Sequence, residues 1–205
     1  MNETPNNISL SASTVKENSE QGTFVANISV DDPDNHGPKG IWQTHNCFLI
    51  DSAQDRFRIV NNANTLVVSS GDLNYETSTL HTIIVECRDS ARKPLRIQKS
   101  FDIEVVDVNE RPQKIILSNA RVPENAGSLL VGVLSTLDQD RNQSFSYILL
   151  SVGAQDSFYV NGTQLWTKVN LDYEKRSTWN IRMETVDQGG KYIKTSSKNR
   201  NSYDQ

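Results

Sequence analysis

The sequence predicts an all-β protein composed of two tandem antiparallel β-sandwiches. The chain has 205 residues, enough for two domains of about 100 residues each. Short motifs recur about half a chain length apart, which indicates an internal repeat. Apolar residues alternate with polar ones in short runs, such as Phe24 to Val30, and clusters of Gly, Asn, Asp and Ser separate these runs. This pattern is typical of sandwich strands.

The internal repeat sets the domain boundaries. Asn2-Glu3-Thr4-Pro5 recurs as Asn109-Glu110-Arg111-Pro112, and Val15-Lys16-Glu17-Asn18 recurs as Val122-Pro123-Glu124-Asn125, both 107 positions later. We therefore predict one repeat over residues 1–108 and a second over 109–205, with a linker at about 107–113.

The second half of the repeat has a shorter offset. Leu73-Asn74-Tyr75-Glu76 recurs as Leu171-Asp172-Tyr173-Glu174, 98 positions later, so the first repeat holds about eight extra residues. We expect them in a loop from His36 to Thr44, because Gly37-Pro38 and Gly40 are typical of loops.

The last strand of the second repeat has an atypical sequence. The offset of 98 places Asn199 and Asn201 where the first repeat has Phe101 and Ile103, so the apolar alternation is lost. We therefore expect the tail beyond about Thr195 to pair poorly with the rest of the sandwich.

Charge and composition argue against several classes of function. The 21 basic and 25 acidic residues give a net charge of −4, which provides no attraction for nucleic acid or for an anionic membrane surface. The longest apolar stretch, residues 129–134, is far shorter than the roughly 20 residues of a membrane-spanning helix. The sequence contains no nucleophile-elbow, phosphate-loop or zinc-site motif. We expect no enzyme, no nucleic-acid partner and no direct membrane contact.

Acidic residues recur in register at turns and strand ends. Asp32-Pro33-Asp34 in the first repeat corresponds to Asp138-Gln139-Asp140 in the second, and Asp89 corresponds to Asp187. Asp favours turns on its own, but recurrence of the whole set favours a hard cation. Ca²⁺ binds roughly six to eight oxygen ligands, and an Asp-x-Asp turn supplies two carboxylates from one short segment.

These residues resemble the extracellular cadherin repeat over nearly the whole chain. The family pattern combines a Glu near the end of the first strand, L-D-[YR]-E, a D-x-D turn, an A-x-D ending and a D-x-N-D-N-x-P linker. The resemblance implies two Greek-key sandwiches of seven strands each, in the extracellular part of a cell-surface protein. The matching residues are Glu17, Glu124, Leu73 to Glu76, Leu171 to Glu174, Asp32, Asp34, Asp138, Asp140, Asp89, Asp187 and Asp107-Val108-Asn109-Glu110-Arg111-Pro112.

The resemblance also implies about two to three Ca²⁺ at the junction of the repeats and one further ion at the N-terminal end. Carried over by position, the ligands at the junction are Glu17, Asn74, Glu76, Asn109, Glu110, Asp138, Asp140, Asp187 and the carbonyl groups of Val108 and Arg111. The N-terminal ion would use Asn2, Asp32, Asp34 and Asp89.

The chain departs from the family pattern at three ligand positions. Asn74 and Glu110 replace Asp residues, and Arg111 replaces an Asn. Asn74 removes a negative charge from the ligands of the outermost ion, so that ion is held less strongly. The N-terminal Trp that adhesive cadherins exchange has no counterpart here, so we expect any homophilic contact to use repeats outside this fragment.

The two cysteines leave two alternatives open. Cys47 and Cys87 lie at inward positions of strands that are neighbours in the resembled fold, where the second repeat has Tyr147 and Thr185. They form either a disulfide, which suits an oxidising compartment, or two buried free thiols.

The sequence also contains five N-glycosylation sequons and three tryptophans. Trp166 and Trp179 are predicted to be core or near-core residues, and Trp42, in the inserted loop, is a candidate partner contact. The sequons permit glycosylation without showing it, and they stand at Asn2, Asn7, Asn27, Asn142 and Asn161.

We interpret the chain as a calcium-binding piece of an extracellular rod that serves cell adhesion or protein recognition, with cadherin-type or other extracellular proteins as partners. A second interpretation is a passive calcium-stiffened spacer. A third, from another class, is a secreted hydrolase that uses paired carboxylates, which the position of the carboxylates at a seam between repeats disfavours.

Overall fold

The fold is that of a computed structural model, which describes residues 2–35, 43–60, 64–150 and 153–202, with side chains described up to Thr195. The chain divides into two compact units, Met1–Val108 and Asn109–Gln205. Most of the predicted loop from His36 to Thr44, including Trp42, falls outside the described residues.

Unit 1 consists of two four-stranded sheets, and a short 3₁₀ turn at Pro33–Asn35 follows its third strand. All pairings are antiparallel except that of β2 with β8, which is parallel. In spatial order, one sheet contains β1 (Asn7–Leu10), β3 (Phe24–Asp31), β6 (Thr65–Val68) and β5 (Phe57–Val60), and the other contains β2 (Thr14–Lys16), β8 (Arg96–Val106), β7 (Leu80–Asp89) and β4 (His45–Asp51).

Unit 2 repeats this arrangement, with β10 and β16 as its parallel pair. In spatial order, one sheet contains β13 (Phe158–Asn161), β14 (Gln164–Thr167), β11 (Leu130–Leu137) and β9 (Lys114–Leu117), and the other contains β10 (Arg121–Pro123), β16 (Tyr192–Ser202), β15 (Thr178–Val186) and β12 (Ser146–Leu149). The all-β sandwich prediction is confirmed.

The first strand of each unit is divided between the two sheets. The described residues of each unit therefore contain eight strands where seven were predicted. In unit 2 the crossing is fixed by Asn119, whose side chain donates to the carbonyl of Val131 at 2.9 Å and accepts from the amide of Arg121 at 3.1 Å. The Asn119 backbone lies 2.9 Å from the point where a Cβ on Gly132 would stand, so only glycine fits at Gly132.

Each unit has its own hydrophobic core between its sheets. Burial alternates along the strands, as in β11, where Val131 and Leu134 are buried and Leu130 and Val133 are exposed. The cores match by position: Phe57 and Leu66 fill the centre of unit 1, while Phe158 and Leu165 fill that of unit 2.

Cys47 and Cys87 form a disulfide, which rules out the free-thiol alternative. The two residues lie directly opposite each other on β4 and β7, with a Cα–Cα distance of 4.1 Å, and both are fully buried. Tyr147 and Thr185 occupy the same register in unit 2. There the hydroxyl of Thr136 lies 2.9 Å from that of Tyr147 and 3.1 Å from that of Thr185, so a hydrogen-bonded network replaces the covalent bridge.

The prediction that the tail beyond Thr195 pairs poorly is wrong. Strand β16 runs to Ser202 and pairs antiparallel with β15 as far as Thr178↔Arg200. It also pairs in parallel with β10 from Arg121↔Arg200 to Pro123↔Ser202. Because β16 lies between two partner strands, its backbone groups are satisfied on both sides, whatever its side-chain pattern.

Replacing both Cys47 and Cys87 by Ser should lower the free energy of unfolding of unit 1 by roughly 3–4 kcal/mol. The bridge closes a 40-residue separation, and the chain-entropy model assigns about this value to such a loop. Denaturant unfolding should shift only the transition assigned to unit 1. The control is Thr185→Val in unit 2, which should leave unit 1 unchanged, and an unshifted unit 1 in the double variant would contradict the prediction.

Candidate metal centres

Polar side chains gather at the strand ends of each unit, in a front group that contains the Asp-x-Asp turn and a rear group that contains the Glu after the second strand. The front group is Asn2, Glu3, Asp32, Asp34, Gln43 and Asp89 in unit 1, and Asn109, Glu110, Asp138, Asp140, Gln143 and Asp187 in unit 2. The rear group is Glu17, Asn74, Glu76 and Asp107 in unit 1, and Glu124, Asp172 and Glu174 in unit 2.

Backbone amides position the Asp-x-Asp turn in the front group of unit 2. The turn follows the last residue of β11, and Asp138 Oδ1 accepts a hydrogen bond from the amide of Asp140 at 3.1 Å. Asp140 Oδ2 accepts from the amide of Glu110 at 2.8 Å. Both carboxylates are thus fixed through one oxygen each, and the other oxygen of each is left for a further partner.

Asn109 connects the other members of this group. Its Nδ2 donates to Asp187 Oδ2 at 3.2 Å, and its Oδ1 accepts from Gln143 Nε2 at 2.7 Å. Asp187 Oδ1 accepts from the amide of Lys191 at 2.8 Å. Gly189 permits this arrangement, because a Cβ there would lie 2.5 Å from the Asn109 side chain.

Three oxygens of the group fit a bound cation. Asp138 Oδ2, Asp140 Oδ1 and Gln143 Oε1 are buried and have no hydrogen-bond partner among the described residues. A buried acceptor without a donor is costly. Since all three are oxygens, and two belong to carboxylates, the donor set is that of a hard divalent cation such as Ca²⁺.

The electrostatics of Asp138 favour the same kind of partner. Burial raises the pKa of the Asp138 carboxyl above its ordinary value, and the negative charges of Asp140 and Asp187 add to the rise. A nearby cation would favour the ionised carboxylate and oppose this shift.

The front group of unit 1 has the same connections, residue for residue. Asp32 Oδ1 accepts from the amide of Asp34 at 3.0 Å, and Asp34 Oδ2 accepts from the amide of Glu3 at 2.8 Å. Asn2 Nδ2 donates to Asp89 Oδ2 at 3.1 Å, and Asn2 Oδ1 accepts from Gln43 Nε2 at 2.8 Å. The two repeats therefore build this group in one way.

His45 distinguishes the two front groups. Its Nε2 lies 2.8 Å from Asp32 Oδ2, and both side chains are nearly inaccessible to solvent. The corresponding oxygen in unit 2, Asp138 Oδ2, has no such partner. In unit 1 a side chain of the protein thus already contacts the oxygen that unit 2 leaves for a cation.

The rear group of unit 1 brings three carboxylates together. Oxygen atoms of Glu17, Glu76 and Asp107 lie within 4.8 Å of one another. Glu17 is buried, and its two oxygens accept from the amides of Tyr75 at 3.0 Å and Val108 at 2.8 Å. Like charges about 4 Å apart repel by about 4 kcal/mol per pair at an effective dielectric constant near 20, so this group also favours a cation.

The rear group of unit 2 holds its Glu by the same backbone hydrogen bond as unit 1, but its other two carboxylates are differently engaged. Glu124 Oε2 accepts from the amide of Tyr173 at 3.2 Å, as Glu17 does from Tyr75. Asp172 instead accepts from the amide of Lys175 at 3.0 Å and pairs with its Nζ at 3.1 Å, and these contacts lower the pKa of Asp172. Glu174 is exposed.

The structure collects most of the predicted ligands into these groups, with three qualifications. Asn74 uses its Oδ1 to accept from the amide of Thr77 at 2.7 Å. The predicted roles of the carbonyl groups of Val108 and Arg111 stay predictions. Sequence reasoning did not include Asp107 among the candidate ligands, although it begins the linker motif and its carboxylate lies in the rear group of unit 1.

Sequence reasoning also missed Gln43 and Gln143. Their spacing from the Asp-x-Asp turn differs between the repeats because of the inserted loop. The alignment of Cys47 with Tyr147 that the cysteines suggest also places Gln43 on Gln143, so the signal was present in the sequence but was not used.

The chain matches the Cadherin domain model over residues 11–106 and 118–199. Human protocadherin gamma-C4 is 30% identical over 193 residues, which cover 86% of this chain and 20% of that protein. The chain thus spans about a fifth of the length of this curated relative.

Solved structures share the fold at low sequence identity. Human protocadherin-24 EC1-2 has a TM-score of 0.72 at 14% identity, and the match covers 100% of both chains. Protocadherin gamma B2 extracellular cadherin domains 1-5 has a TM-score of 0.67 at 18% identity, over 100% of this chain and 42% of that one. In the part of the chain that the structure describes, no helix has the length and apolar character needed to cross a membrane.

Gly189→Ala should destabilise unit 2 by roughly 1–3 kcal/mol, because the added Cβ displaces Asn109 from its hydrogen bonds to Asp187 and Gln143. Thermal unfolding would measure the loss. Gly71→Ala is the matched control, since its Cβ would meet nothing closer than 3.8 Å. In an Asn109→Ala background the effect of Gly189→Ala should largely disappear, and an undiminished effect there would assign the strain to another contact.

Proposed function

This chain belongs to the cadherin family, and from that membership we propose that its two repeats bind Ca²⁺ through the rear group of unit 1 together with the front group of unit 2. The observation that carries the proposal is the set of buried oxygens without donors at Asp138, Asp140 and Gln143. Calcium binding then orders a tandem extracellular segment that serves cell adhesion or protein recognition.

Position in the chain supports the use of both groups together. The rear group of unit 1 ends at Asp107, and the front group of unit 2 begins two residues later, at Asn109. About two to three divalent ions would neutralise most of the charge of their seven carboxylates. Those carboxylates belong to Glu17, Glu76, Asp107, Glu110, Asp138, Asp140 and Asp187.

The ions should not be held equally. We propose that the ion served by Asn74 is the weakest, because Asn74 is uncharged and its Oδ1 already accepts a backbone hydrogen bond. The front group of unit 1, with Asn2, Asp32, Asp34 and Asp89, would hold at most one further ion. That ion has to displace the contact between His45 and Asp32.

Adhesion and passive spacing differ in one measurable property. The matched repeats of protocadherin gamma B2 are named as extracellular, and the chain lies outside the cell as they do. An adhesive or recognition segment should bind a cadherin-type partner or a second copy in the presence of Ca²⁺. A spacer should bind Ca²⁺ and remain monomeric with every such partner in sedimentation experiments.

The hydrolase interpretation is not favoured. Glu17 places both of its oxygens on backbone amides, and the Asp-x-Asp carboxylates also accept backbone hydrogen bonds. Carboxylates engaged in this way are suited to holding an ion in place rather than to moving protons.

Asp140→Asn should raise the dissociation constant for Ca²⁺ at least about tenfold, because it removes a charge from the proposed cluster. Glu174→Gln, at an exposed residue of the rear group of unit 2, is the matched control and should have little effect. Calorimetric titration would compare both variants with the unmodified chain, whose expected affinity is roughly 10⁻⁴–10⁻³ M.

The same proteins should differ in proteolysis between Asp107 and Pro112. Calcium should protect this segment in the unmodified chain and in Glu174→Gln, and protect it less in Asp140→Asn. If the two variants bound Ca²⁺ with equal affinity and chelation left the cleavage unchanged, the proposal that Ca²⁺ binds through these two groups would be wrong.

Lowering the pH should begin to weaken Ca²⁺ binding at a pH above the ordinary pKa of an Asp carboxyl. The reason is that the pKa of Asp138 is raised, so protons compete with Ca²⁺ for this carboxylate at a higher pH. The loss should approach about tenfold per pH unit below that pKa. The free energy of unfolding of metal-free unit 2 should change in the opposite direction. Because the pKa of Asp138 is raised in the folded state, this group stabilises the fold more as the pH falls. Calcium titrations from neutral pH to about pH 4, with Asp138→Asn as control, should show the steeper dependence in the unmodified chain. Equal slopes would contradict the assignment to Asp138.

A further inference from the structure

The sequon Asn161-Gly162-Thr163 lies at the hairpin between β13 and β14 of unit 2. Asn161 is exposed at the end of β13, and Gly162 turns the chain with a φ of 57°. No hydrogen bond of the Asn161 side chain is found among the described residues, so its amide nitrogen is available for modification.

Two aromatic rings lie beside this asparagine on the same face of the sheet. Tyr159 precedes Asn161 by two positions in β13, and side chains two apart in a strand point to the same face. Trp166 is the register partner of Tyr159 on β14, and the rings stack at 6.4 Å with an interplanar angle of 20°. Trp166 was predicted to be a core or near-core residue, but it is half-buried and lies on this outward face.

The apolar surface continues beyond the aromatic pair. Leu130 is the register partner of Trp166 on β11 and is 36% exposed, and Val133, beside Gln164, is 44% exposed. Tyr159, Trp166, Leu130 and Val133 form a strip across three strands, with Asn161 at its edge; we call it the aromatic shelf.

Unit 1 provides an internal comparison. The corresponding strands β5 and β6 carry Arg58 and Val67 in place of Tyr159 and Trp166, and Val60 in place of Asn161. The stacked aromatic pair and the hairpin sequon are therefore present in unit 2 and absent from the corresponding described positions of unit 1, where Phe24, 54% exposed, stands in place of Leu130.

We propose that Asn161 carries an N-linked glycan whose first sugar lies on the aromatic shelf. A pyranose ring presents a face of C–H groups with partial positive charge, and the faces of Tyr and Trp rings are negative, so the two surfaces attract. The sugar would also cover apolar area that is otherwise open to water. Residues two apart on a strand face are about 7 Å apart, which is within the span of one sugar.

The modification is an ordinary transfer from a lipid-pyrophosphate-linked oligosaccharide, the donor class of the secretory route. A bond forms between Asn161 Nδ2 and the anomeric carbon of the sugar, and the bond from that carbon to the pyrophosphate oxygen breaks. The lipid pyrophosphate leaves with the electron pair, and Nδ2 loses one proton. The inference needs the extracellular placement of the chain but not its calcium binding.

The other sequons lack this setting. Asn142 is exposed, but the residue two positions before it is Asp140, a member of the front group. The side chain of Asn2 is engaged with Asp89 and Gln43. Asn7 follows Pro5, which is not aromatic. Asn27 lies on β3 near the exposed Phe24, but its Oδ1 accepts from the Thr65 hydroxyl at 3.3 Å, and its neighbour is a single ring rather than a stacked pair.

Occupancy is tested on the full chain secreted from mammalian cells. Release of N-glycans by an amidase in heavy-oxygen water converts each glycosylated Asn to a labelled Asp, and peptide mapping locates the label. Because Asn161-Gly162 also deamidates spontaneously, label is counted as the excess over a sample kept in heavy-oxygen water without the amidase. We expect such an excess at Asn161 in most molecules and no excess in Thr163→Ala, which removes the sequon and keeps Asn161. An unlabelled Asn161 in the secreted chain would overturn the proposal.

Contact with the shelf is tested by NMR after the glycans are trimmed to the first sugar. The N-acetyl methyl signal of the sugar on Asn161 should be shifted upfield by the aromatic rings, and it should return to its ordinary position in Tyr159→Leu. Trp166→Leu, checked for folding by circular dichroism, is the second variant and should reduce the shift. A methyl signal at its ordinary position in the unmodified chain would show a glycan that does not use the shelf, and would overturn the inference.

Discussion

Backbone amides that hold carboxylates at the ends of strands are the constraint from which the rest of this structure follows. Glu17 binds the amides of Tyr75 and Val108, and Asp138 and Asp140 bind amides within their own unit. Each amide fixes one carboxylate oxygen in place, so negative charge is concentrated where side-chain flexibility would otherwise disperse it. The sandwich provides this rigidity because strands of both sheets, packed on one core in each unit, lead into the segments that hold these carboxylates.

The two repeats show which parts of this design are fixed and which are free. The Asn, the Asp-x-Asp turn and the Gln of the front group have the same hydrogen bonds in both units. By contrast, the position that is a disulfide in unit 1 is a hydroxyl network around Thr136 in unit 2. The buried link between β4 and β7, or between β12 and β15, needs only a pair that fits the space and satisfies its polar atoms.

The fold could be predicted from the sequence because repetition and alternation are properties of the chain itself. The spacing of Glu17 and Glu124, and of the two Asp-x-Asp turns, established two sandwiches and the residues that gather at their ends. The disulfide stayed open because parity places a cysteine on a face but does not fix the register that sets Cys47 opposite Cys87. The prediction for the tail beyond Thr195 was wrong because a side-chain pattern does not show how many strands lie beside a segment. Gln143 was missed because the preceding loops of the two repeats differ in length, which obscures its spacing from the Asp-x-Asp turn.

The parallel pairing of the first and last strands has a mechanical consequence. In unit 1, β2 near the start of the unit pairs in parallel with β8 at its end, and β10 and β16 have the same relation in unit 2. Tension applied through the two ends of a unit therefore pulls such strands in opposite directions along their length, and their hydrogen bonds are loaded in shear, all at once, rather than opened one after another. Forced unfolding is governed by the unfolding rate, so a unit built this way should unfold slowly under tension. The parallel contact that bears the load has only three paired residues on each strand.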